Sequence, residues 1–224
     1  MLDLTSVTLS YFDICGRGEP ICLILEDAGV PYTQDHGVAA FAAGKMNHSL
    51  YLFNQMPRLT AESHVNGTHL FQQGAILRLI AKARGYTGKG DIWEDATVDM
   101  LDAACEDLNS TYTRTIYWPD AMALLPIFVK EHVPKVMKQF EFLLSKSMSS
   151  QGYFVYDIPS CAEFHLLYLL HCFAHLNPAL LANFPLLTQW RSTMLARPGL
   201  KSYFASSRMK EMLKGNANGQ KAVV

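Results

Sequence analysis

The sequence has no charge imbalance, no bilayer-length apolar run and no cysteine pattern, and each absence removes a class of function. Nineteen basic residues against 20 acidic ones leave a formal net charge of −1, which argues against binding driven by electrostatics to nucleic acid or a membrane surface. Apolar runs such as Leu166-Leu167-Tyr168-Leu169-Leu170 are far too short to span a bilayer. No secretory leader is legible, so a cytoplasmic protein is expected. The cysteines, Cys15, Cys22, Cys105, Cys161 and Cys172, are odd in number and scattered. That suits reduced thiols better than a disulfide framework, and no metal-type spacing occurs. There is no internal repeat and no low-complexity segment before the last ten residues. What remains is a 224-residue chain of ordinary globular composition, enough for one large domain or two small ones.

The chain is organised around Tyr11-Phe12-Asp13-Ile14-Cys15-Gly16-Arg17-Gly18-Glu19-Pro20. Before it, Ser6 to Ser10 alternates apolar and polar residues as a strand does. After it, Pro20 suits a first helical turn, and Ile21, Ile24, Leu25 and Ala28 recur at helical spacing. Gly29 then stands where a left-handed stop is wanted. A strand, a glycine-bearing loop and a helix N-terminus aim backbone N–H groups and the positive helix end at an anion. The loop also holds a phenol, Tyr11, and a thiol, Cys15. Sulfur or carboxylate chemistry is indicated.

Residues 1–84 go on alternating strand and helix signals. Val30-Pro31-Tyr32-Thr33 reads as a short strand, 38–53 is irregular, and Arg58 to Ala61 and Thr68 to Phe71 read as two more strands. Asn66-Gly67 between these last two is a tight-hairpin signal. A helix begins at Gln72 with Ile76, Leu79, Ile80 and Ala83 on one face and Gly85 at its end. Three glycines within 85–90 mark a linker, and 91–224 is almost wholly helical. There, Val98, Leu101, Cys105, Leu108 and Tyr112 form the apolar face of a long helix, with Asp95, Asp99, Asp102 and Glu106 on the other. Pro126 and Pro134 interrupt the next helical stretch. Ser160 and Glu163 form a capping box before a helix that is apolar nearly all round. Further helices follow Phe184-Pro185 and Arg197-Pro198, and the tail 216–224 reads as mobile.

This order, a thioredoxin-like α/β unit and then an all-helical domain with a central capped helix, resembles the cytosolic glutathione S-transferases. The resemblance covers most of the chain. It rests on Tyr11-Phe12 with Gly16-Arg17, on Asn54-Gln55-Met56-Pro57, on Leu70-Phe71-Gln72-Gln73-Gly74-Ala75-Ile76-Leu77, and on the capping box. Gly85 to Lys89, Val98-Asp99-Met100, Glu106-Asp107-Leu108, Thr115-Ile116-Tyr117, Ala196 to Lys201 and the taper Asn216 to Lys221 are similar to the pi class, with the sigma class next.

On residues alone Tyr11 reads as a half-buried strand aromatic. The resemblance implies instead that its hydroxyl donates to the sulfur of bound glutathione, stabilising the thiolate. Cys15, just before a helix, is the competing nucleophile and would make the protein a glutathione-dependent thiol–disulfide reductase. Met56-Pro57 is similar to the family's cis proline, which implies that Met56, helped by Gln55, pairs with the cysteinyl backbone. Gln72 and Gln73 would take the glutamyl carboxylate at a helix N-terminus, Gln73 standing where the family usually has serine. Arg17 is expected near the thiol or the glutamyl end. Lys45 is expected at the glycyl carboxylate, and Phe41 where the family often has a tryptophan, so that an indole N–H is lost.

Asp107 would reach the partner subunit's glutathione amine, and Phe53 would be an aromatic key in a homodimer. Phe12, Ile14 and Tyr117 would line a pocket for small hydrophobic electrophiles. His165, His171 and His175 share one helical stretch and read as neutral core or helix-end residues. Tyr156 stands where the family usually has glycine, so a different local turn is expected. A protein that keeps the fold as a ligand carrier or structural element without activity is the third reading, to which Phe41 and Gln73 give weight.

Overall fold

The computed structural model describes residues 4, 6–61 and 68–209. The Asn66-Gly67 hairpin signal and the tail 216–224 lie outside the described residues. Four strands, β1 (Val7–Ser10), β2 (Tyr32–Asp35), β3 (Arg58–Ala61) and β4 (Thr68–Phe71), form one sheet in the order β2-β1-β3-β4. β1 runs parallel to β2 and antiparallel to β3, and β4 is antiparallel to β3. The second strand starts two residues later than the sequence signal. Register with β1 pairs Val7 with Tyr32 and carries pairing on to Asp35, while Pro31 has no N–H to give a ladder.

Helix α1 (Glu19–Asp27) has Pro20 in its first turn, and α3 (Gln73–Arg84) ends on left-handed Gly85. Between β2 and β3 lies α2 (Val38–Gly44), where the sequence signal was irregular. It buries no residue, so it has no apolar stripe to read, and alanine propensity supports it instead.

Beyond the glycines, Asp91 caps α4 (Ile92–Tyr117) by accepting the N–H groups of Trp93 and Glu94 at 2.8 and 3.1 Å. The expected apolar face of α4 is buried. Asp102, placed by the sequence on the face away from the apolar stripe, is buried too, at 5 % exposure. The cause is that α4 is covered from more than one side. Helices α5 (Ala121–Ile127) and α6 (Val133–Ser145) flank a π-helical turn, Phe128–His132. Pro126 and Pro134, each lacking an N–H donor, bracket that turn.

Helix α7 (Cys161–Leu176) is buried through the middle of the helical domain. The Glu163 carboxylate at its start accepts the Ser160 N–H at 2.6 Å, the Phe154 N–H at 3.1 Å and the Trp190 indole at 3.1 Å. Helices α8 (Pro185–Leu195) and α9 (Pro198–Phe204) close the fold.

α7 packs against α1, α3 and α4, and α9 against α1, so the α/β region and the helical domain share one core. Arg197 and Tyr86 both donate to the Asp27 carboxylate, Arg197 at 2.7–2.9 Å and Tyr86 at 2.7 Å. Tyr156 is accommodated by a partner glycine. Its ring lies where a Cβ on Gly88 would stand, 2.2 Å from Tyr156 Cε1, and its hydroxyl donates to Asp95.

Candidate active site

A cavity of about 870 Å³ opens between the α/β region and α4. On the α/β side it starts at the loop after β1. The Tyr11 N–H still donates to Asp35 O at 3.0 Å, and the Tyr11 ring then lies over the 3-10 turn Gly16–Gly18. Only glycine fits under it. A Cβ on Gly18 would stand 2.5 Å from Tyr11 Cδ1, and one on Gly16, at φ +65°, would stand 2.9 Å from the hydroxyl. With the ring so close, the Arg17 N–H donates to Tyr11 Oη at 2.9 Å.

Burial raises the phenol to about 12, outweighing the opposing Arg17 N–H. Tyr11 therefore stays protonated near neutrality, and the hydroxyl that accepts from Arg17 keeps its own hydrogen to give. The Arg17 guanidinium crosses to α4, meeting the Glu106 carboxylate at 2.8 and 2.7 Å and Ser110 Oγ at 3.1 Å. Cys15 lies in the same loop at 1 % exposure. Burial first, then the Glu19 carboxylate, push its thiol far up. A buried neutral thiol is a poor nucleophile.

Phe12 and Phe41 also line the cavity. Their rings meet edge to face at 5.6 Å, and Phe41 meets Tyr51 in the same way at 5.0 Å. Gln55, Met56 and Pro57 form the rim, with the Met56–Pro57 bond cis. Gln72 caps α3 at φ +70° and ψ 119° and donates from Nε2 to Gln55 Oε1 at 3.3 Å. A side-chain-bearing residue holds such a conformation at a cost of about 1–3 kcal/mol, and outliers of this kind cluster at functional sites. Gln73 follows as the first residue of α3. It is 5 % exposed, and neither atom of its amide head has a partner among the described residues.

The helical side is built from charges. Asp99, Asp102 and Glu106, spaced three and four apart, share one stripe of α4 and all reach the cavity. Arg78 of α3 donates to Asp102 at 3.1 Å and approaches Asp99 at 3.4 Å. His165 of α7 sets Nδ1 2.9 Å from Asp102 Oδ1. A carboxylate only accepts, so the hydrogen of that bond is on Nδ1. The close approach of α3 to α4 needs Gly74, whose Cβ would stand 2.7 Å from Asp102 Oδ2.

The cavity thus gathers nine sequence candidates: Tyr11 and Arg17 in the loop, Phe12 and Phe41 beside it, Gln55, Met56 and Pro57 at the rim, and Gln72 and Gln73 at α3. Four others do not line it. Lys45 is exposed at the end of α2, and Asp107 is exposed on α4. Ile14 lines a narrow crevice behind Tyr11 with Phe12. Tyr117, at the end of α4, is 40 % exposed and close enough to Tyr11 to influence it electrostatically. Sequence reasoning missed Arg78, Asp99, Asp102 and His165 as site residues. The signal lay in the three-four spacing of the acids, which asks for a basic partner on a neighbouring helix. Among the described residues no group of histidines, cysteines and carboxylates could hold a metal ion, and no helix is long and apolar enough to cross a membrane.

A family model described as "Glutathione S-transferase, C-terminal domain" matches residues 106–207. "Glutathione S-transferase P" of Bos taurus is 33 % identical over 93 % of this chain and 97 % of its own length. The Homo sapiens protein of that name is 33 % identical over 89 % of this chain and 91 % of its own. A solved structure, described as a pi-class glutathione S-transferase of Onchocerca volvulus, superposes with a TM-score of 0.81 at 29 % identity, covering 96 % of this chain and 99 % of that one. With near-complete coverage, a matching domain and a shared fold, the chain belongs to the glutathione S-transferase family of transferase enzymes, among relatives of the pi class.

Proposed function

We propose that the protein transfers glutathione to small hydrophobic electrophiles, with Tyr11 holding the sulfur as a thiolate. The observation that carries this reading is the Tyr11 hydroxyl at the cavity, fixed by the Arg17 N–H at 2.9 Å and kept protonated by burial. A phenol in that state donates to a thiolate and does not act as a phenolate base. Its hydrogen bond strengthens as charge collects on sulfur, so it favours ionisation of the bound thiol. A shift of two pKa units corresponds to about 2.7 kcal/mol.

The remaining roles follow the family resemblance; Phe12, Phe41, Gln55, Met56, Gln72 and Gln73 line the cavity, whereas Lys45, Ile14 and Tyr117 rest on the resemblance alone. The N–H groups and positive end of α3, at Gln72 and Gln73, suit the glutamyl carboxylate. The Gln55-Met56 rim suits the cysteinyl backbone, and Lys45 the glycyl carboxylate. Phe41 contributes its ring face and no N–H. The electrophile sits by Phe12, Ile14 and Tyr117. In this reading 1–84 bind glutathione, 85–90 link, and 91–224 supply the electrophile pocket.

The working unit is a homodimer. Phe53 is 54 % exposed, and an apolar groove of about 680 Å³ between α4 and α6, lined by Met100, Leu101, Ala104, Phe142 and Leu143, suits such a ring from a second copy. Asp107 then faces the other subunit. Burying the ring is worth roughly 1.5–3 kcal/mol, twice per dimer.

The test is Tyr11→Phe. We expect kcat/KM for an aryl halide to fall about 100-fold, and the thiolate absorbance of bound glutathione near neutral pH to disappear, in step with the two-unit shift. Full activity in that variant sinks the reading.

A further inference from the structure

We infer that the corner where α7 meets α8 and α9 binds a small oxyanion, a phosphate or carboxylate group, through Arg191, His171 and His175. None of these three residues lines the cavity, so the site stands independently of the glutathione reading.

Two observations meet there. The first is a cluster of bases with no acid. His171 and His175 are four apart on α7 and share one stripe of that helix. Arg191 comes from α8 and is close enough to oppose a charge on His171, as His175 does from its own helix. The neighbour from α9 is Phe204, an uncharged ring with its centroid 5.0 Å from that of His171. Among the described residues no carboxylate pairs with any of the three bases. The contrast is with Arg17, Arg78 and Arg197, which are half-buried like Arg191 and each hold a carboxylate, at 2.7, 3.1 and 2.7 Å.

The second observation is unsatisfied nitrogen. Arg191 Nε and His171 Nδ1 are buried and have no hydrogen-bond partner among the described residues. A guanidinium does not shed its hydrogens, so that buried Nε–H costs free energy at every working pH. The outer nitrogens of both side chains are not sealed in this way, and His175 beside them is exposed. Burial first, then Arg191 and His175, lower the His171 imidazole to about 4. The fixed positive charge of the corner is therefore that of Arg191. An oxyanion accepts from the guanidinium and the imidazoles together and reverses the field on His171. Two imidazoles four apart also suit a divalent metal, but the guanidinium repels one.

The experiment follows the ring-proton NMR signals of His171 and His175 in the full-length protein, assigned with His171→Gln and His175→Gln. Sulfate is the probe, at constant ionic strength, because it keeps one charge state where histidine titrates. Both signals are expected to shift along one saturable curve with a Kd of about 1 mM. The His171 pKa should rise by about one unit, which is about tenfold tighter sulfate binding to the protonated ring. Arg191→Gln should weaken sulfate about tenfold, the worth of one charge-assisted hydrogen bond, and Arg191→Lys should recover part of the loss. Turnover of an aryl halide by these variants should match wild type and serves as the check on folding. If Arg191→Gln does not fold, the exposed change His175→Gln takes its place and should weaken sulfate severalfold. Inorganic phosphate and acetate, titrated in the same way, tell a phosphate ligand from a carboxylate. Wild-type signals that sulfate does not move overturn the inference. So does equal sulfate affinity in the folded variants, and so does zinc binding tighter than sulfate at the two imidazoles.

Discussion

On the α/β side of the cavity, position is set by backbone: glycines under the Tyr11 ring, a cis bond at the rim and a left-handed Gln72. On the helical side it is set by side-chain charges, with Asp99, Asp102 and Glu106 held by Arg78, His165 and Arg17. The difference teaches where each side is vulnerable. A backbone-built wall fails when atoms are added, because close packing leaves nowhere for them to go. A charge-built wall fails when a partner or a proton is removed.

The largest effect is expected from Gly18→Val on the backbone side. The new Cβ would meet the Tyr11 ring at 2.5 Å near its root, not at a flexible tip. The ring must leave, and assays should find at most about a hundredth of wild-type kcat/KM, as for loss of the phenol itself. Retained activity would mean that the Tyr11 position is less dependent on the turn than the geometry indicates.

On the helical side, Glu163 anchors the start of the helix that carries His165. Burial raises its carboxyl to about 7 from 4.5, against three N–H donors that pull it down. Between pH 4.5 and about 7 the folded state keeps this proton and the unfolded state has lost it. The contribution to stability is therefore fully present below pH 4.5 and lost as the pH rises through 7. Urea titrations across that window should show wild type losing about 3 kcal/mol relative to Glu163→Gln. A constant difference would contradict the assignment.

Glu106→Gln removes the charge that ties the Tyr11 loop to α4. The pair is partly solvated, so denaturation should register only about 0.5–1 kcal/mol. A somewhat lower kcat/KM should accompany it as Arg17 loosens. The smallest effect on rate belongs to Cys15→Ala. The thiol is buried and protonated, so turnover per folded molecule should stay at the wild-type level. A large loss there would revive thiol–disulfide exchange.

The strands at Arg58–Ala61 and Thr68–Phe71, the stop at Gly85 and the apolar face of the long helix were all legible, because each depends on local periodicity or one conformationally special residue. α2 was not, since a helix that buries nothing has no stripe. Tyr11, Gln55, Met56, Pro57, Gln72 and Gln73, singled out from short contiguous motifs, all line one cavity. His165 was read as a core or helix-end residue and is buried, but its pairing with Asp102, placed only on the acidic face of α4, was not legible. Their pairing joins two helices 63 positions apart in the chain, and periodicity says nothing of what covers a second face.

The sequence by itself determined the element order, the glycine-bearing loop with its phenol and thiol, and the family. Those reside in local patterns and contiguous motifs. Only the tertiary structure decided which of the two reactive groups faces the cavity and which is sealed away. It also decided that a carboxylate, a histidine and an arginine from three helices meet at one wall of the cavity. Burial and charge pairing depend on what packs against a side chain, and the packing partners come from distant parts of the chain.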